Sequence, residues 1–182
     1  MKNGKRPAVF IDRDGTIIQQ VDALTNPSKI KILPGVIEAI ADLKRCGFLV
    51  IGITNQPILE KGLLTEESLE EIHRLLQEEL AQNGARLDAI YTCPHQYRAE
   101  GQCQCRKPGI GLIEEAQAAF PIDMQKSWLI GDRLRDVETG RRAGLKTILV
   151  ATGGLSNDDE FFPDAKPDHK ADNFMAAVRL VI

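Results

Sequence analysis

The sequence predicts a three-layer α/β fold, a parallel sheet with helices on both faces. Three observations lead there. Short β-branched apolar runs recur five times, stretches with helical apolar spacing separate them, and polar residues collect just after the runs. The runs are residues 8–12, 48–54 (introduced by Gly47), 87–92, 127–131 and 146–151. Between the first two, residues 35–45 carry Val36, Ile37, Ile40 and Leu43 at helical spacing. Thr65 is a natural N-cap for the next helix, with Glu66 and Glu67 in its first turn and a stop near Asn83-Gly84. Residues 110–119 and 134–143 are shorter helices, the second closed by Gly144, and a last helix runs from Asp172 onward. There is no internal repeat.

At 182 residues the chain fits one compact domain, residues 1–182, with a sizeable core. Its 43% hydrophobic and 27% charged residues describe an ordinary globular protein rather than a disordered one. No apolar stretch approaches the roughly 20 residues of a membrane span, and the apolar run after Lys2, Lys5 and Arg6 is too short for a signal peptide. A cytoplasmic monomer without a membrane partner is expected. The formal charge of −3 argues against a nucleic-acid partner, whose backbone demands a basic face, but allows a small phosphorylated metabolite held by local cations.

Parallel sheets of this kind bind ligands beyond the carboxyl ends of their strands. Asp12-Arg13-Asp14-Gly15-Thr16 follows the first run, Thr54-Asn55-Gln56 the second, a Cys/His cluster and Arg106-Lys107-Pro108 the third, and Gly131-Asp132 with Asp136 the fourth. Asp12 and Asp14 leave a buried strand two positions apart, so their side chains start on one face. Two such acids can divide the work of phosphate transfer, one as nucleophile and one holding a proton for the leaving oxygen. A carboxylate approaching a phosphate dianion needs a cation, and Mg2+ takes hard oxygen ligands of the kind Asp12, Asp132 and the Asp14 carbonyl offer. Thr54 can donate to phosphate oxygens, Lys107 can hold Asp12 and the phosphate together, and Arg106 can reach the phosphate or the rest of the substrate.

Cys93, His95, Cys103 and Cys105 form a second group, three thiolates and one imidazole. Without a secretion signal they favour a metal over disulfides, and four such donors match a closed tetrahedral Zn2+ site. The single-residue gaps are tighter than in common zinc fingers. Such a zinc would fold residues 93–105 and aim Arg106 and Lys107 inward.

In their order, Asp-x-Asp-Gly-Thr, the strand-end Thr54, Lys107-Pro108 and Gly-Asp-x-x-x-Asp resemble the four motifs of the haloacid dehalogenase (HAD) superfamily. The resemblance implies a Rossmann-like HAD fold in which Asp12 becomes an aspartyl-phosphate. Asp14 would protonate the leaving group and then activate water, Thr54 and Lys107 would bind the phosphoryl group, and Asp12, Asp14, Asp132 and Asp136 would serve Mg2+. The zinc loop ahead of Arg106-Lys107-Pro108 is similar to the heptose bisphosphate phosphatase and histidinol-phosphatase branch, as are residues 9–15, Thr54-Asn55-Gln56 and Cys93-Pro94-His95. This likeness implies a minimal cap, Asn55, Lys61 and Arg106 on the substrate, and removal of the 7-phosphate of a heptose 1,7-bisphosphate. Histidinol phosphate or another small phosphorylated metabolite is the alternative, and a polynucleotide 3′-phosphate a further one that the missing basic groove disfavours.

The chain departs from that branch at Ile18, where members carry an Asn near the substrate. It departs again at Pro57-Ile58-Leu59-Glu60-Lys61, where they carry Ser-Gly-Ile-Ala-Arg. Lys61 keeps a charge but loses the planar fork of Arg. A receiver domain would need its phosphorylated Asp after the third strand, where this chain has Cys93. A zinc ribbon would leave the four acids without a purpose, and Gly109-Ile110-Gly111 does not follow a strand as dinucleotide binding requires. Cys46 is read as a small buried residue, His73 as solvent-facing, His169 as part of a loop, and residues 156–168 as a surface loop.

Overall fold

The central strand cores are hydrophobic on consecutive residues, the signature of a sheet buried on both faces. In the computed structural model, which describes residues 4–21, 23–98, 100–153 and 161–182, these runs pair side by side in parallel. The elements are β1 (Ala8–Ile11), α1 (Val36–Arg45), β2 (Leu49–Asn55), α2 (Glu66–Gln82), β3 (Ala89–Cys93), α3 (Gly111–Ala119), β4 (Trp128–Gly131), α4 (Leu134–Arg142), β5 (Lys146–Val150), β6 (His169–Ala171) and α5 (Phe174–Val181). The order across the sheet is β3-β2-β1-β4-β5-β6. The fold is the expected Rossmann-like three-layer α/β arrangement, and among the described residues only a 3₁₀ turn at Pro27–Lys29 stands between β1 and α1, which leaves a minimal cap.

Alternation along β1 assigns the two layers. Val9 and Ile11 face one way, into a core with Val36, Ile40 and Leu43 of α1, Ile72 and Leu76 of α2, and Phe174 of α5. Ala8 and Phe10 face the other way, onto Leu112, Ile113 and Ala116 of α3. Register pairs Val9 with Val50 on one side and with Trp128 on the other. A one-residue slip would exchange the two cores. Thr65 caps α2 by accepting from the Ser68 N–H, as its sequence position predicts.

Three expectations fail. Among the described residues the sheet has six strands, not five: His169 lies in β6, at the end of the strand order and paired with Ile148. That strand is only His-Lys-Ala, and its pairing comes from the neighbouring β5 and from Asp168, which accepts from the Thr147 N–H and hydroxyl. Cys46 is exposed, because α1 ends at Arg45 and the left-handed turn at Gly47 carries the chain away from the buried stripe. His73 is not solvent-facing; it meets Arg13 in the interior. Of the expected loop at 156–168, residues 156–160 lie outside the described residues; of the remainder, Phe161 is exposed while Ala165 is buried.

Phe10 is fully buried beneath α3. Phe10→Ala is expected to lower unfolding stability by about 3–5 kcal/mol, read in urea as a lower midpoint with an unchanged m-value.

Candidate active site

The strand order reverses between β1 and β4, and a parallel sheet opens a crevice at such a switch point. Asp12 follows β1 and Asp132 follows β4, so each leaves its strand into that crevice; the Asp12 N–H bonds to the Ile130 carbonyl 3.0 Å away. Asp136 joins them from the first turn of α4, where one of its oxygens accepts from the Arg133 N–H. One carboxylate oxygen from each of Asp12, Asp132 and Asp136 lies within 4.8 Å of the others. All three residues are buried.

Lys107 is the cation among them. Its Nζ lies 2.5 Å from Asp12 Oδ1 and 2.7 Å from Asp136 Oδ1, and donates to the Ile53 carbonyl at 3.0 Å. These contacts use all three donors of the ammonium. Burial opposes its charge, but Asp12 and Asp136 outweigh that and hold the ammonium above its ordinary pKa. Asn55 aims the lysine: its amide accepts from the Lys107 N–H at 3.0 Å and donates to the Lys107 carbonyl at 3.2 Å. The end of β2 thereby fixes a loop 52 residues away.

One lysine does not neutralise three buried acids. Burial first, then the charges of Asp12 and Asp136, push Asp132 up to about 8. Asp132 forms an ion pair with Arg133 at 2.9 Å, yet among the described residues neither of its oxygens receives a hydrogen bond. Gly15 has a positive φ, and a β-carbon there would stand 2.7 Å from Asp132 Oδ2; one at Gly153 would stand 1.6 Å away. The backbone is thus pressed close around a carboxylate without donors. Buried oxygens of this kind are the ligands a hard divalent cation takes, and Mg2+ fits the donor set.

Asp14 turns away from this group. Arg13 holds it in a fork, Nε at 3.0 Å from Oδ2 and Nη2 at 3.2 Å from Oδ1, and Gln56 Nε2 donates to Oδ2 at 2.8 Å. Its carboxylate therefore stands apart from the group formed by Asp12, Asp132 and Asp136, which leaves its backbone carbonyl, the atom the sequence reading offered to Mg2+, as its donor there. Thr54 Oγ1 accepts from Gln56 at 2.8 Å and faces Asp14 at 3.5 Å. A cavity of about 130 Å3 contains Asp12, Asp14, Thr54, Lys107, Asp132 and Gln20. A second of about 200 Å3 runs from Asp14 past Gln20 to Pro57, Ile58, Arg106 and Arg135. A third of about 840 Å3 shares Arg106, Lys107 and Arg135 with these and extends to Tyr97 and Phe161. Gln20 and Arg135 carry no motif in the sequence, which is why reading it missed them; Gln56 stood in the Thr54-Asn55-Gln56 element but was given no role there. Ile18 is 1% exposed and packs in the core, away from these cavities. Lys61 is exposed and lines none of the three.

The Cys/His group assembles beside the site. Cys105 Sγ is 3.1 Å from Cys93 Sγ and 3.5 Å from Cys103 Sγ, and His95 Nδ1 is 3.3 Å from Cys105 Sγ and 3.5 Å from Cys93 Sγ. Tetrahedral Zn2+ at ordinary bond lengths spaces such donors by roughly 3.6–3.8 Å, so the four fit one closed site with little movement. Burial works against ionisation at Cys103, but hydrogen bonds led by the Arg106 backbone hold its thiol down to about 6. Arg106 donates to the His95 carbonyl at 2.8 Å, tying the loop to the catalytic segment.

Comparison with known proteins agrees with this geometry. The HAD-hydrolase-like family model matches residues 104–177. A D-glycero-beta-D-manno-heptose-1,7-bisphosphate 7-phosphatase of Photorhabdus laumondii is 38% identical over 161 residues, 84% of this chain and 85% of the relative. The chain belongs to the HAD-like hydrolases. Within that family its relatives are phosphatases: the enzyme of the same name from Escherichia coli K12 is 35% identical over 81% of this chain and 80% of its own. A crystal structure of D,D-heptose 1,7-bisphosphate phosphatase from B. bronchiseptica, complexed with magnesium and phosphate, superposes with a TM-score of 0.84 at 31% identity. It covers 96% of this chain and 97% of that one. This HAD-like hydrolase has no helix, among its described residues, long and apolar enough to cross a membrane.

Burial, then the Arg13 charge, lowers the pKa of His73 from 6.5 to about 4. The unfolded chain therefore binds more protons than the folded one between these values, so stability rises with pH across that window and falls on acidification. The loss should reach at most about 3 kcal/mol. Urea unfolding at pH 4 and pH 7 is expected to show a smaller difference in His73→Gln than in the natural protein.

Proposed function

We propose that the protein is a Mg2+-dependent phosphomonoesterase that removes the 7-phosphate of a heptose 1,7-bisphosphate through an aspartyl-phosphate on Asp12. The observation that carries this reading is the meeting of Asp12, Lys107 and Asp132 at the switch point, with Asp14 held two residues beyond the nucleophile. Similarity to heptose-bisphosphate phosphatases over four-fifths of the chain supports the substrate.

Asp12 attacks phosphorus with a carboxylate oxygen while the bond to the sugar oxygen breaks, and Asp14 gives that oxygen its proton. Asp14 then takes a proton from water, whose oxygen attacks the same phosphorus, releasing inorganic phosphate and restoring Asp12. Lys107 fixes the nucleophile and meets the charge gathering on the phosphoryl oxygens, and Thr54 donates to one of them. A Mg2+ held by Asp12, Asp132 and the Asp14 carbonyl supplies the positive charge that lets one anion approach another. Asp136 serves this site from the same loop by anchoring Lys107.

The acid must touch the leaving oxygen, so the cavity running from Asp14 takes the sugar. Arg106 and Arg135 are among its lining residues, which suits a second phosphate. The cationic amine of histidinol phosphate would meet those same charges unfavourably, and this orders the two candidates. The Cys93, His95, Cys103 and Cys105 site holds Zn2+ with no open position, a structural role that steadies Arg106 and Lys107.

Phosphate release with Mg2+ from heptose 1,7-bisphosphate is expected to exceed about 10⁴ M⁻¹s⁻¹ in kcat/KM, and to exceed that from histidinol phosphate. Faster turnover of histidinol phosphate would reverse the assignment. Asp12→Asn should reduce kcat by at least about 1,000-fold with an unchanged melting temperature; substantial residual turnover would remove Asp12 as nucleophile. Cys103→Ser should lower both the zinc content and the melting temperature, and an unchanged one-to-one zinc stoichiometry would rule out the structural site.

A further inference from the structure

Arg13 is 1% exposed, and nothing in the reaction above uses it. A guanidinium does not shed its charge in a protein, so each buried N–H needs an acceptor. Two edges of the group go to Asp14: Nε to Oδ2 at 3.0 Å and Nη2 to Oδ1 at 3.2 Å. The remaining nitrogen, Nη1, lies 3.1 Å from His73 Nε2. Arginine can only donate, so His73 Nε2 must be the acceptor and the imidazole proton must sit on Nδ1. The depressed pKa of His73 agrees with a neutral ring at this contact.

His73 comes from α2, one residue after the buried Ile72 and three before the buried Leu76, so the helix is anchored in the core on either side of it. It is therefore a fixed post. The chain His73–Arg13–Asp14 runs from a packed helix to the carboxylate, and the fork geometry of the guanidinium transmits orientation as well as charge. Gln56 holds the same Asp14 oxygen from the β2 side at 2.8 Å. Asp14 is thus gripped from two elements, and of the two grips only the arginine's is bidentate.

We propose that His73 is a positioning residue for proton transfer: by accepting from Arg13 it sets the plane of the guanidinium and, through it, the place of the Asp14 carboxylate relative to the leaving oxygen. The proposal rests on the assignment of Asp14 as acid and base above. His73 touches neither substrate nor metal ligands, and acts only through Arg13.

The test compares His73→Leu, which removes the acceptor at similar volume, with His73→Gln, whose amide oxygen can replace Nε2. Each is assayed on p-nitrophenyl phosphate, whose leaving group departs as a stable anion, and on the heptose bisphosphate, whose alkoxide must be protonated. The ratio of the two kcat/KM values is independent of how much enzyme is folded. His73→Leu is expected to lower kcat/KM on the sugar phosphate by about 10- to 100-fold, within the range of general acid–base contributions, while p-nitrophenyl phosphate changes far less. His73→Gln should restore most of the ratio. Asp14→Asn, run alongside, must distort the ratio in the same direction. If Asp14→Asn distorts it and His73→Leu lowers both substrates equally, His73 is merely structural and the proposal is overturned. If Asp14→Asn leaves the ratio unchanged, the acid assignment fails first and the positioning role falls with it.

Discussion

The site depends on an imbalance of charge: Asp12, Asp132 and Asp136 are buried together around one buried ammonium, Lys107. Three carboxylates meet one buried ammonium and the Arg133 guanidinium on Asp132, so the cluster keeps a net negative charge, and at an effective dielectric near 20 each pair of acids about 4 Å apart repels by roughly 4 kcal/mol. Asp132, which receives no hydrogen bond among the described residues, carries the remainder. A divalent cation is the natural complement of that arrangement. The same excess explains the close backbone at Gly15 and Gly153, where any side chain would occupy the space beside Asp132.

Holding such a cluster requires rigidity, and the sheet supplies it. Asp12 and Asp132 leave adjacent parallel strands whose register is pinned by two opposite hydrophobic cores. The lysine has no strand of its own. It is placed by the amide of Asn55 at the end of β2 and by the Cys/His loop that precedes it. The Cys/His group at 93–105 is thus tied to the segment that carries Arg106 and Lys107.

The fold was largely legible because buried parallel strands announce themselves as short apolar runs; among the described residues five of six strands and the five helices α1 to α5 fall within a few residues of their expected places. What escaped has a physical cause in each case. β6 is three residues without an apolar run and exists through pairing with β5. Cys46 sits at a spacing that would continue the α1 stripe, but Gly47 ends the helix there. His73 looked like part of a polar helix face, and only the burial of Arg13 beneath it gives the ring a partner.

By itself the sequence determined the candidates: which acids, which lysine and which thiols stand at the strand ends, because residue type and order along the strands are local properties. Tertiary structure decided how they divide. It separated the Asp14 carboxylate from the three acids of the metal-type cluster, committed Asn55 to Lys107, buried Ile18 and left Lys61 outside the cavities. Those outcomes follow from contacts between residues far apart in the chain, which neither spacing nor periodicity can encode.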